Sequence, residues 1–329
     1  MKKIVNNVEN VEKEMLDGMV KSYPQYVRML DTERVLVRAN KKEGKVALVS
    51  GGGSGHEPNC CGYIGEGMLD AVAPGAIYTS PTPLQMLEAI KAVATDKGVL
   101  LIITNYTGDI MNFEMAADMA RDEGIEVDQV IINDDVAVSN SLYTIGRRGI
   151  GGSVLVYKIA GAIAQTGASL EEVKEVTQKA INNVRSMCVA ISPSVNPVTG
   201  VASFELQEDE MEVGIGVHGE PGVSREKLKS ANEIADSLLE KILQDIDYSN
   251  SEVALLVNGS GATPLMEQYI VSNHVHDVLN SKGIKVYKTL VGNYFTSMDQ
   301  QGISLSLMKL NDQLKELLDA SADSIAYKE

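Results

Sequence analysis

The sequence predicts an α/β fold: two α/β domains with mainly parallel or mixed sheets and helices packed on them. Three observations predict it. Short continuous apolar runs, such as 99–103, alternate with stretches of helical period. Glycine-rich segments stand directly after several of those runs, where an α/β sheet turns from strand to helix. The 329 residues, 44% hydrophobic and 22% charged, suffice for two cores of ordinary size.

The elements follow in chain order. Val8, Val11, Met15 and Met19 share one face of a helix that Pro24 stops. A short strand over 46–50 runs into the glycines at 51–55, and a second over 98–104 runs into Asn105. Phe113, Met115, Ala116, Met119 and Ala120 mark a helix over 112–121, and 127–133 is the next strand. A helix fits 154–165. Ser169 and Glu172 form a capping box before another helix that reaches about 184. A strand over 187–192 precedes a turn-rich change of texture, and 204–222 reads as strand, turn, strand, turn. Helices over 230–245 and 264–279 then alternate with strands over 252–258, 284–291 and 303–310, and a short helix over 312–318 closes the pattern. A boundary near 183–190 divides the chain into domains 1–185 and 186–329, the last helix being able to pack back on the first domain.

Lys and Arg total 29 against 45 Asp and Glu, a formal charge of −16, which argues against nucleic acid or an anionic membrane as partner. The N-terminus has no apolar signal region and no run approaches a membrane span, so a cytoplasmic protein is expected. Cys60, Cys61 and Cys188 are sparse and odd in number, the usage of reduced thiols, and their spacing suggests no metal.

Four histidines are present. His56 lies in the Gly51–Gly55 cluster, where glycines let backbone N–H groups approach a ligand. Asp109 follows a strand end on the same side of the expected sheet. Alone it would be read as a helix N-cap, but beside His56 it makes an acid–base pair. Segment 214–219 matches G-x-G-x-x-G, yet Pro221-Gly222 makes a turn where a dinucleotide fingerprint needs a helix. His218 in that turn is therefore of interest in itself. His274 and His276 stand two apart on a helix, cannot share a face and are expected at the surface. Segment 258–264 could cradle an anion or shape a turn, and Glu208, Asp209, Glu210 and Glu212 suit a solvated hairpin tip better than a metal site.

Seven ordered segments together resemble the substrate-binding K subunit of the dihydroxyacetone kinases: GGGSGHEP (51–58), YTSPTP (78–83), NYTGDIMNFE (105–114), DDVAV (134–138), SLYTIGRRG (141–149), GIGVHGEPG (214–222) and GATPLMEQY (261–269). The resemblance spans essentially the whole chain and implies a homodimer of two-domain α/β subunits. It implies that His218 attacks the ketone carbon of dihydroxyacetone, or a similar short ketose, to form a covalent hemiaminal. His56 would hydrogen-bond the adduct, and Asp109 would take the proton of the terminal hydroxyl as that oxygen attacks phosphorus. Gly53 would donate a backbone N–H, with Ser54 and Thr104 completing the substrate-binding set. A lysine usual before NYTGD is Thr104 here, which leaves room for another ketose such as erythrulose. The resemblance further implies no cofactor on this chain. ATP or ADP with Mg would sit on a separate L subunit, recharged through a phosphotransferase relay. Related paralogues that sense dihydroxyacetone as transcriptional co-activators supply the rival reading.

Overall fold

The computed structural model describes residues 2–31, 34–139 and 144–329. Its strands are β1 (Val27–Met29), β2 (Leu36–Arg38), β3 (Ala47–Ser54), β4 (Gly65–Glu66), β5 (Ala71–Ile77), β6 (Val99–Thr104), β7 (Val127–Ile132), β8 (Val184–Ala190), β9 (Glu210–Val213), β10 (Ser224–Lys227), β11 (Glu252–Gly259), β12 (Lys285–Gly292), β13 (Gly302–Leu310) and β14 (Asp323–Ser324). Its helices are α1 (Val11–Ser22), α2 (Pro83–Val93), α3 (Thr107–Asp122), α4 (Ser153–Gln165), α5 (Leu170–Asn183), α6 (Ala231–Asp245), α7 (Leu265–Ser281) and α8 (Asp312–Asp319).

Two six-stranded sheets carry the fold. The first has the order β1-β2-β5-β3-β6-β7 and is parallel from β5 to β7, with an antiparallel edge at β1 and β2. The second, β10-β9-β8-β13-β11-β12, is antiparallel except where β11 pairs β12. Both are thus α/β sheets of parallel or mixed type. A small β4–β14 ladder ties the chain end to the region after β3.

The central strands bury both faces, which is why they read as unbroken apolar runs. Along β11, Val253, Leu255 and Val257 face a core built with Leu238, Leu239 and Ile242 of α6 and Val271, Val275 and Leu279 of α7. Ala254 and Leu256 face the other way, into a core shared with Leu48, Leu100 and Ile102 of the first sheet. Helices α4 and α5 fill the space between the sheets, and Leu16 of α1 and Leu314, Leu317 and Leu318 of α8 close it. Residues Ser153 to Ala164 of α4 are all buried, the pattern of a helix wrapped by core. On the outer face of the first sheet, Val49, Leu101 and Ile103 meet Met86 and Ile90 of α2 and Phe113 and Ala116 of α3. The molecule is layered helix, sheet, helix, sheet, helix, and α8 packs on α4.

Several expectations are corrected. β3 continues through the glycines to Ser54, because Gly51 and Gly52 stay paired with Ala73 and Pro74 of β5. α3 begins at Thr107, so Asp109 lies in the first turn and is no N-cap; Tyr106 takes that place. The Ser169 hydroxyl accepts from Glu172 N, but the reciprocal half of the expected box is missing. Within 204–222 only Glu210–Val213 is a strand, and its hairpin partner, Ser224–Lys227, lies beyond that stretch. Residues 140–143, which begin the 141–149 motif and precede it, lie outside the described residues.

Candidate active site

Strand ends of the first sheet and one loop of the second half build the site. β3 delivers Gly53 and Ser54, and the chain then crosses to the segment after β12. There Met298 N donates to Gly55 O (2.8 Å) and Thr296 N donates to His56 O (3.2 Å). Thr296 O lies 2.8 Å from His56 Nδ1, so Nδ1 carries the proton and Nε2 is left as a bare acceptor with no partner. Asn258 fixes that segment by bonding Phe295 O through its amide (2.7 Å) and the N–H groups of Tyr294 and Phe295 through its oxygen (2.8 and 2.9 Å). The glycine loop 258–264 therefore shapes the wall behind His56.

Tyr78 follows β5 with a left-handed backbone (φ +56°), a conformation that a bulky residue adopts only under constraint. Its ring stacks on His56 with centroids 5.1 Å apart, and its hydroxyl lies 2.7 Å from Ser297 Oγ and 3.1 Å from Ser194 Oγ. Ser297 in turn donates to Val217 O (2.8 Å), next to His218. Gly53 is glycine because this corner is tight: a Cβ there would stand 2.7 Å from Thr79 N and 2.8 Å from Tyr78 Cα.

His218 sits half-buried in the loop between β9 and β10. Its ring meets Tyr106 edge-on (4.5 Å between centroids), Tyr78 (5.3 Å) and His56 (4.8 Å). It opens on a cavity of about 320 Å³ lined by Gly53, Tyr78, Ser80, Tyr106, Gly108, Asp109 and His218. Asp109 is buried, and its Oδ1 has no hydrogen-bond partner.

The electrostatics follow from burial. Burial pushes His56 down to about 3, helped by neighbouring His218. Burial pushes His218 down to about 4, helped by the Arg148 charge. Both imidazoles are therefore neutral near neutral pH, with lone pairs available. Burial raises the Asp109 carboxyl to about 7 against the opposing Ser80 hydrogen bond. The site thus offers a neutral nitrogen nucleophile, a hydrogen-bond acceptor behind it and a carboxylate poised to take a proton.

Of the six residues expected from sequence, Gly53, Asp109 and His218 line the cavity and His56 packs behind His218. Ser54 and Thr104 do not line it. The Ser54 hydroxyl turns inward to donate to Gly75 O (2.7 Å), and Thr104 is buried at the end of β6. Sequence reading by residue type missed Tyr78, Ser80, Tyr106, Gly108 and Thr296, although all but Thr296 fall in segments that carry the resemblance.

His274 and His276 are half-buried, and each has its own partner: Asp236 at 2.8 Å and Thr289 at 3.0 Å. In the acid cluster, Asp209 pairs with Lys227 and Glu212 with Arg225 (3.0 Å) across the β9–β10 ladder. Cys60, Cys61 and Cys188 are free and buried. Among the described residues no group of three or more His, Cys, Asp or Glu is placed to hold a metal ion.

The Dak1 domain family matches residues 17–326. Over 329 residues the chain is 50% identical to the PTS-dependent dihydroxyacetone kinase 1, dihydroxyacetone-binding subunit DhaK, of Listeria innocua, covering 99% of this chain and all of the relative. It is 41% identical to the PEP-dependent dihydroxyacetone kinase, dihydroxyacetone-binding subunit DhaK, of Escherichia coli, over 97% of each. Among solved structures, the dihydroxyacetone kinase operon co-activator Dha-DhaQ superposes with TM-score 0.91 at 37% identity, over 96% of this chain and 98% of that one. The dihydroxyacetone kinase of C. freundii superposes with TM-score 0.91 at 31% identity, over 99% of this chain and 60% of that one.

Proposed function

The chain belongs to the Dak1 domain family, and from that premise we propose that it is the ketose-binding subunit of a split dihydroxyacetone kinase. The observation that carries the reading is the convergence of His218 and the unpartnered Asp109 oxygen on one cavity.

Dihydroxyacetone enters and the neutral His218 imidazole attacks its ketone carbon. The new C–N bond forms as the carbonyl π pair moves to oxygen. That oxygen gains a proton as the imidazole loses one, giving a hemiaminal. His56 Nε2, free to accept, holds the new hydroxyl, and Gly53 N–H orients the substrate. The adduct turns a mobile ketose into a fixed one, and alcohols without a carbonyl are refused. Asp109 then takes the proton of the terminal hydroxyl as that oxygen attacks the phosphoryl group. The donor is a nucleotide-carrying L subunit, with ATP or ADP and Mg on that subunit, recharged through a phosphotransferase relay. The proposal includes a homodimer, a cytoplasmic setting and two domains dividing near residue 185. Among the described residues no helix is long and apolar enough to cross a membrane.

The likeness to the Dha-DhaQ co-activator favours a second reading, in which the chain senses the ketose without phosphorylating it. Asp109 favours the kinase, because a sensor needs the adduct and no base. The test is phosphorylation of dihydroxyacetone and of erythrulose by the purified chain, with and without a nucleotide-loaded L subunit from the same source. Product formed only with both proteins supports the kinase and names the ketose. An adduct without product, beside an L subunit verified as active, supports the sensor.

A further inference from the structure

Beneath the His218 loop lies a buried ionic cluster that the reaction above does not use. Arg148 and Glu220 are both almost fully excluded from solvent. Arg148 Nε and Nη2 reach Asp135 Oδ2 at 2.7 and 2.6 Å, and Nη2 also donates to Gly214 O at 2.7 Å. Nη1 has no hydrogen-bond partner but points toward Glu220 Oε1, 3.7 Å away, itself without one. The other Glu220 oxygen accepts the backbone N–H of His218 at 2.9 Å. Gly214 and Glu220 bracket His218 in sequence, so one guanidinium hydrogen-bonds the loop where it leaves β9 and attracts its carboxylate just past the histidine.

From this geometry we infer that Arg148 and Glu220 are positioning residues for His218. They fix the backbone that aims its imidazole at the ketone carbon, and the inference rests on the covalent reading above. The rings of Tyr106 and Tyr78 meet the imidazole edge-on, and Ser297, bonded to the Tyr78 hydroxyl, donates to Val217 O on the near side of the histidine. The main chain needs such restraint: Gly214, Gly216, Gly219 and Gly222 make the loop intrinsically loose. A buried ion cluster is a poor source of stability, since apolar packing of equal volume serves a fold as well or better. Its place under a glycine-rich nucleophile loop is explained by geometry imposed on His218. The Arg148 charge also helps keep that imidazole neutral.

The test uses the full chain with its nucleotide-loaded partner subunit and the variant Glu220→Gln. Loss of a charge-assisted hydrogen bond that holds the nucleophile should raise KM for dihydroxyacetone about tenfold or more. It should leave kcat at saturation within about twofold, because Asp109 is untouched once the adduct exists. Adduct occupancy at fixed ketose, read by intact mass, should fall in parallel. Glu220→Asp keeps the charge on a shorter arm and should give an intermediate KM, and it carries the test alone if the glutamine variant does not fold. An unchanged KM, or a fall in kcat with KM unchanged, would overturn the inference while leaving the covalent reading in place. Absence of the adduct in the unsubstituted chain would instead overturn the covalent reading.

Discussion

Replacing Asp109 by Asn should stabilise the protein while abolishing phosphoryl transfer. The carboxyl is buried, one of its oxygens has no partner, and burial raises it from 3.8 to about 7. A carboxyl that is harder to ionise in the folded state favours folding fully below its unfolded value. That contribution is lost as pH rises toward the folded value. Wild type therefore loses ground to the non-titrating Asn variant between the two values, and the gap is constant above about 7. The full gap corresponds to about 4 kcal/mol at about pH 8, narrowing to about 2 kcal/mol at about pH 5. Urea midpoints of both proteins at a series of pH values would measure it. The adduct should persist in the variant, since His218 and His56 are unchanged. A variant less stable at every pH, or a difference that does not vary with pH, would refute the account of Asp109 as a strained buried base.

Three further outcomes are expected. Turnover should rise with pH to half its maximum near 7 as Asp109 ionises, with no second limb from the histidines, which stay neutral well below that range; initial rates with saturating partner subunit test this. Gly53→Ala should collide with the Tyr78 backbone, cost about 1–3 kcal/mol by overpacking and weaken ketose binding, read by thermal melts and KM. Leu256→Ala should cost about 2–5 kcal/mol, because Leu256 fills the core between the two sheets, while KM at a permissive temperature stays unchanged.

The parts of the fold legible in the sequence are those with a strong local signature. β6 is legible because burial of both its faces makes it an unbroken apolar run, and α6 because it fits a helical period; the reciprocal cap of Ser230 and Glu233 at its start is a further signal that the sequence carries. β1 and β2 have three residues each, too few to show a period. β5 contains Pro74 and Gly75 and does not alternate, so its sequence carries no strand signature. α2 did carry a signal: Thr82 and Gln85 cap it reciprocally and Pro83 opens it. In the site, His56, Asp109 and His218 stood out as reactive residues in glycine loops. Tyr78 and Tyr106 did not, since an aromatic at a strand end reads as core. Thr296 serves His56 through a backbone carbonyl, which no reading by residue type detects. Ser54 turns inward because β3 runs on through the glycines, an extension that their lack of side chains hides from the sequence.

The covalent step is the centre of the account, and carbon-13 NMR of dihydroxyacetone labelled at the carbonyl and mixed with the purified chain tests it most directly. The bound carbon should move from the ketone range to that of a tetrahedral centre, and His218→Ala should abolish the new signal while Asp109→Asn keeps it. A bound ketose whose labelled carbon stays in the ketone range would contradict the account.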